Sequence, residues 1–404
     1  MGVGALGGNE KMVTVIEVTL RGGKWVYRDL NFSLPAPANS AEDSTESPGA
    51  PGPPRPVAPF ASPLNGTASV TVGKDSQRIY YADTYGSIIE LAVDGKDVRW
   101  RNFTADVGAP IAGVGSPLAA TVQGGVTVHY FDAANRLVRL WHKNGNTWTV
   151  RTYNKPPKAS AASPLAATVT DDVRRVLIYY MNTRNQLLEV SWTHNKEPLV
   201  TNLSTWISGP LPMSPVSPLA AVGFASDIRR IYYLDVNNSP IQLAHNVDAP
   251  TNQYPTGRKW WSWANLTQAA GAKYTLDGDP MVVALTRTSQ PRVYYQDWAG
   301  NVAALAWSGS GWSYSTPGEL ANGEAGAPTA APAGALAAVL SADDVKQFLF
   351  YLDRSDHLIS LQWTGRLWYS VDLSAELRLP PTAHACPISA VFDGDPYAYY
   401  LSSE

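Results

Sequence analysis

One phrase recurs down this chain and fixes what it can fold into. Ser62-Pro63-Leu64, Ser116-Pro117-Leu118-Ala119-Ala120, Ser163-Pro164-Leu165-Ala166-Ala167 and Ser217-Pro218-Leu219-Ala220-Ala221 open four copies of a repeat. Asp279-Pro280-Met281-Val282 and Ala335-Leu336-Ala337-Ala338 open two more. The openings stand roughly 47 to 62 residues apart, the spacing of propeller blades. Each is followed by an aromatic strand, as in Arg78-Ile79-Tyr80-Tyr81, Arg230-Ile231-Tyr232-Tyr233 and Arg292-Val293-Tyr294-Tyr295. A polar turn, an aliphatic strand and usually a Trp strand (Trp148, Trp261, Trp312, Trp368) complete the unit.

A seventh copy is divided between the two ends. Cys386-Pro387-Ile388-Ser389-Ala390 with Tyr397-Ala398-Tyr399-Tyr400 forms the first half of a repeat, and Val13 to Asp29 reads as the second half. Pairing them closes the ring and removes the exposed edges an open array would leave. The expectation is an all-β, seven-bladed β-propeller with one blade closed by the N- and C-terminal halves. Residues 1–404 then form a single β-propeller domain. Residues 34–60, rich in Pro, Ala, Ser and Gly, are expected to form a flexible loop within it. Further insertions fall at roughly 246–263 and 317–332, and no helix is expected.

Composition narrows the function classes. A formal charge of −3 with no basic run argues against a nucleic-acid partner. No stretch is long and apolar enough for a membrane span. The first dozen residues lack a signal-peptide core. Yet Asn31, Asn65, Asn102, Asn202 and Asn265 head glycosylation triplets, so localisation is open: cytoplasmic, or secretory if a leader has been removed. The single cysteine, Cys386, excludes an internal disulfide framework and reads as a buried structural thiol.

Cofactor chemistry has no legible motif, and none is expected: no phosphate loop, no His/Cys set with metal spacing and no Ser-His-Asp arrangement. Asp277-Gly278-Asp279 and Asp393-Gly394-Asp395 are fragments of a calcium loop at most and read as turns. The aromatic insertion Tyr254, Arg258, Lys259, Trp260, Trp261, Trp263 breaks the blade period and sets cations beside apolar rings. It supplies residue types that could wall a small-molecule pocket. The alternative is that two of these Trp fill the outer-strand position of their blade. His129 replaces the usual Tyr of its strand; it is either a donor or a satisfied core histidine.

Taken together, Ser-Pro-Leu-Ala-Ala, Arg-x-Tyr-Tyr, Gly-x-Ile-x-Glu and Trp resemble the repeats of fungal fucose-specific lectins, over nearly the whole chain. Those are six-bladed propellers. The resemblance implies a sugar held between adjacent blades by an Arg and a Glu, with a Trp or Tyr over its apolar face. Only one blade keeps the polar pair, Arg78 with Glu90, and Trp100 is the candidate ring. Elsewhere the pair becomes Thr127/Arg139, Leu177/Glu189, Arg230/Gln242, Arg292/Ala304, Phe348/Ser360 and Tyr397/Glu17. With its rim sites mostly erased, the chain also resembles the lectin-like hetero-Diels–Alderases of tropolone sesquiterpenoid biosynthesis of the eupenifeldin and pycnidione type.

That second resemblance implies a cofactor-independent pericyclase joining a tropolone o-quinone methide to a humulene-type alkene, with small-molecule polyketide and terpene substrates. His129, Arg258 and Lys259 would be its donors, and Tyr254, Trp260, Trp261 and Trp263 its substrate wall. Alignment of diene and alkene would carry the rate, with a donor to the carbonyl that gains charge. The alternative is a fucose-binding lectin with mostly degenerate sites, Arg78, Glu90 and Trp100 forming the surviving one and a fucosylated glycan the partner. Where the ligand-sized cavity lies discriminates the two: between blades for a lectin, deep at a channel mouth for a pericyclase.

Overall fold

The computed structural model describes residues 13–30, 58–62, 65–142, 147–170, 175–192, 197–207, 209–210, 212–224, 228–246, 260–322, 326–341, 343–383 and 386–403. They build seven four-stranded antiparallel sheets. In chain order, blade 1 spans residues 67–102, blade 2 residues 119–152, blade 3 residues 165–202, blade 4 residues 219–265, blade 5 residues 281–315 and blade 6 residues 336–372. Blade 7 joins 388–403 to 13–29. The first strand of each blade contacts the first strand of the next, around a complete circle. The fold is the seven-bladed propeller that the repeat predicts.

Closure is a full strand pairing. Val13–Arg21 lies antiparallel to Asp395–Ser403, with Val15 opposite Leu401, Glu17 opposite Tyr399 and Thr19 opposite Tyr397. Val15, Ile16 and Val18 are buried in one core cluster with Tyr399, Tyr400 and Leu401. Thr14 and Ser402 hydroxyls bond at 2.7 Å across the seam.

The repeated letters now have physical reasons. The Ser of Ser-Pro-Leu stands just before the innermost strand, and its Oγ accepts the backbone N–H at the end of the second strand. The pairs are Ser116 with Phe131 (2.9 Å), Ser163 with Met181 (2.9 Å) and Ser217 with Leu234 (2.7 Å). The turn aspartate that follows accepts two N–H groups, at i+2 and i+4, as Asp235 does from Asn237 and Ser239 at 2.9 Å each. A tyrosine late in the second strand reaches back to the incoming linker: Tyr81 to Pro59 O, Tyr130 to Pro110 O, Tyr180 to Pro157 O and Tyr351 to Pro328 O. These four blades thus pin the segments that lead into them. Because Asp235 is fully buried, Asp235→Ala strands two N–H groups and should cost about 2–3 kcal/mol, read by urea unfolding.

Helices are present where none was expected, though each is a single turn. Phe103–Val107, Leu203–Trp206, Leu266–Ala270 and Leu373–Leu377 follow outermost strands. Their N-caps are Asn102, Asn202, Asn265 and Asp372, whose side chains accept the N–H three residues on. The next residue is buried as a plug. The third is Thr or Ser, and Ser204 and Ser374 accept the N–H that opens the third strand. Three of the five glycosylation triplets are therefore this capping device. A fourth, at Asn65, is buried and accepts the Gly115 N–H at 2.7 Å; Asn31 lies outside the described residues. A further one-turn helix, Pro317–Leu320, sits in the third insertion.

Candidate ligand site between blades 1 and 2

A cavity of about 570 Å³ opens between blades 1 and 2. Strand alternation aims its residues there. On blade 1, Arg78 stands opposite Ala92, which stands opposite Arg99; two residues along, on the same face, Tyr80, Glu90 and Arg101 form another cross-strand row. All but Tyr80 line the cavity; Trp100, in the alternate row with Leu91, borders it from the outermost strand. Blade 2 supplies the facing wall through Val122, Val126, His142 and Trp148. Val126 opens the second strand, one residue before the Thr127–Trp141 pair, and His142 stands opposite Trp148, where the rings lie 5.3 Å apart. Trp148 is held in place by Phe103, 4.5 Å between centroids, and by Tyr80.

Electrostatics define what this cavity can accept. Glu90 is buried and takes a 2.7 Å hydrogen bond from the Tyr80 hydroxyl. Burial raises its pKa, outweighing Tyr80, Arg78, Arg101 and His142, which all favour the carboxylate. Burial and the neighbouring Glu90 in turn raise Tyr80 well above the usual phenol. Arg78 donates to Asp94 at 3.0 Å, to Ser76 Oγ at 3.2 Å and to its neighbour's carbonyl at 2.8 Å. Asp94 loses some stabilisation by burial, yet the bonds from Ser76, Arg99 and Arg78 hold it at about 2. Arg101 pairs with Asp106 at 3.4 Å. The result is one acceptor carboxylate, a set of fixed N–H donors and an indole plane, around a space large enough for a drug-sized molecule, about 300–1,000 Å³.

The raised pKa of Glu90 gives a signed prediction. A ligand that donates to this carboxylate needs it ionised. Its binding should weaken as pH falls through the raised pKa, at a higher pH than an ordinary exposed carboxylate would set. The stability linkage runs the other way: the native state holds the Glu90 proton more tightly than the unfolded chain, so this group's contribution is present below pH 4.5 and lost as pH rises through the folded value. A titration of affinity against pH that is flat from pH 4 to pH 8 would contradict the assignment.

Arg78, Glu90 and Trp100 thus come together at one cavity. Sequence reasoning missed Trp148 and His142, which were legible as the outer-strand Trp and its cross-strand partner one blade further on; the covering ring was sought within the same blade. The residues proposed for a pericyclase are distributed otherwise. Tyr254, Arg258 and Lys259 lie outside the described residues. Trp261 is buried in the outermost strand of blade 4 against His245, 5.0 Å between rings, and beneath the Arg229 guanidinium. Trp263 shares that strand and packs on the core cluster of blades 3 and 4. Both therefore occupy blade positions, the alternative reading of this insertion. Trp260 is exposed, at φ +78°.

His129 is not a surface donor. Its ring is fully buried, stacked on Trp192 at 5.6 Å, and neither ring nitrogen has a hydrogen-bond partner among the described residues. Burial, then Arg139, push its pKa well below the usual value, so it is a neutral element of the interface between blades 2 and 3. Cys386 is likewise buried, its thiol pushed up to about 12 by desolvation. Asp279 spends its carboxylate on the N–H groups of Leu276 and Ala333, as a turn residue does.

No family model matches the chain, and no curated protein matches it in sequence. Solved structures do match. The fucose-specific lectin from Aleuria aurantia aligns with a TM-score of 0.53 at 19% identity, covering 76% of this chain and 94% of that one. AofleA from Arthrobotrys oligospora gives 0.52 at 15% identity, covering 76% and 86%. The BP39L lectin from Burkholderia pseudomallei gives 0.55 at 14% identity, covering 81% and 88%. This chain is similar in fold to these lectin-like propellers. The Aleuria protein is six-bladed, one blade fewer than here.

Proposed function

We propose that the chain is a carbohydrate-binding propeller with one working site, the cavity between blades 1 and 2, and that its ligand is a fucose-type sugar. The observation that carries this is the juxtaposition of Glu90 and Arg78 on blade 1 with Trp148 on blade 2 across one cavity. A pair of sugar hydroxyls can donate to Glu90 and accept from the arginines, in charge-assisted bonds that fix orientation. Trp148 can cover a C–H face. The likeness to fucose-binding lectins supports the choice of sugar. The cavity lies between blades, which is the lectin arrangement. Calorimetric titration with methyl α-L-fucoside tests it; saturable binding at one site supports the proposal, and no heat at millimolar ligand refutes it.

A second reading rests on size. About 570 Å³ is room for a ligand much larger than one monosaccharide. Between the Trp148 indole and several N–H donors, a quinone methide and an alkene could be aligned for a cofactor-independent hetero-Diels–Alder reaction. Carbon–carbon and carbon–oxygen bonds would form in one step without proton transfer. Trp148 would then be the aligning surface, and Arg78 or Arg101 the donor to the oxygen that gains charge. Incubation of humulenol and a tropolone quinone-methide precursor with the protein separates this reading from the first: adduct above the buffer rate supports it, and an unchanged rate removes it.

A further inference from the structure

The interface between blades 3 and 4 repeats the cavity of blades 1 and 2, with one difference. Glu189 stands where Glu90 does, between cross-strand neighbours, and accepts from Tyr179 at 2.9 Å as Glu90 does from Tyr80. Blade 4 presents His245 opposite Trp261, as blade 2 presents His142 opposite Trp148. The residue that opens the second strand is Val126 in blade 2 but Arg229, opposite His245, in blade 4. Arg229 crosses the interface. Its Nε and Nη2 fork onto the Glu189 oxygens at 2.7 and 3.0 Å, its Nη1 meets His245 Nδ1 at 3.0 Å, and its guanidinium lies 5.1 Å from the Trp261 ring centre. Meanwhile the three arginines that blade 1 contributes become Leu177, Leu199 and Thr201 on blade 3.

We propose that this interface is a second ligand site of the chain, occupied by its own Arg229 side chain, and that its ligand class is a planar cation of guanidinium type. The acceptor, the ring and the fork are all in place; the cation is tethered instead of free. The logic of the open cavity is inverted here: blade 1 lines its cavity with Arg78, Arg99 and Arg101 and calls for a neutral hydroxylated ligand, whereas blade 3 has uncharged residues at those three positions and calls for a cation. The inference goes beyond the sugar reading and does not depend on it.

The test uses full-length Arg229→Ala with ethylguanidinium as probe. Leaving Glu189 buried and unpaired should lower Tm by roughly 5 °C, and millimolar ethylguanidinium should restore most of that loss and bind at one site in calorimetry. Ethylammonium and sodium at equal ionic strength should not, because neither forks onto a carboxylate. Glu189→Gln/Arg229→Ala, which removes the charge, should fold but lose the response. If Arg229→Ala does not fold alone, ethylguanidinium in the refolding buffer should recover it. No restoration or recovery, or equal restoration by ethylammonium, would overturn the proposal. Methyl α-L-fucoside binding to the wild type is read separately and decides only the site between blades 1 and 2.

Discussion

Deleting residues 1–29 is expected to abolish cooperative folding. The segment contributes two strands of blade 7 and buries Val15, Ile16, Val18 and Trp25. At about 1.5–3 kcal/mol for each buried large apolar side chain, the loss approaches the 5–15 kcal/mol that holds an ordinary domain together. Glu17, buried and forked by Arg28 at 2.7 and 3.0 Å, goes with it. The deletion also leaves Asp395–Ser403 with an open edge, a template for aggregation. Melting followed by circular dichroism and light scattering checks this. A truncated protein that melts within a few degrees of wild type would show that blade 7 does not need its N-terminal half.

The second large effect is on binding. Glu90→Gln keeps the shape of the cavity and the contact with Tyr80 but removes the charge that strengthens hydrogen bonds from a sugar. At about 1.5–3 kcal/mol for a charged hydrogen bond, methyl α-L-fucoside affinity should fall roughly 10- to 100-fold, with little change in Tm. Val126→Arg should act more strongly, because it places in blade 2 the side chain that fills the equivalent space in blade 4 and could fork onto Glu90. Binding should be lost while the fold is kept. If Val126→Arg binds the fucoside as wild type does, the ligand does not occupy the space between Glu90 and Trp148.

The fold was legible because the repeat is written in residues with local tasks. Ser116, Ser163 and Ser217 each accept one defined N–H, Asp235 caps a turn and Tyr81, Tyr130 and Tyr180 each hold a linker. Such tasks leave a periodic trace. The triplets at Asn102, Asn202 and Asn265 recur for the same reason, as helix caps. The one-turn helices behind them are too short to carry a helical period.

The site was legible in part. Arg78 and Glu90 stood out as the only intact pair, but a site between blades takes half its residues from a different repeat. Trp148 and His142 are some 50 residues from Glu90 in sequence and meet it only through the ring's stacking. A position that helps fill several interfaces was not visible as a motif at all. It precedes the Arg-x-Tyr-Tyr signature by one residue and is Val126 at the open cavity. Arg229 fills the corresponding space by bonding Glu189, and at the same position Gln77 reaches Asp393 and Gln347 meets Tyr294 across their own interfaces. At these three interfaces a long side chain at this position reaches the facing blade, whereas Val126 leaves the corresponding space free between blades 1 and 2.

The central claim is that one interface of the seven, between blades 1 and 2, is the working sugar site. Calorimetric titration of the full chain with methyl α-L-fucoside tests it most directly. The account predicts one site per chain, abolished by Val126→Arg and weakened by Glu90→Gln. Several equivalent sites per chain, or one site indifferent to both substitutions, would contradict it.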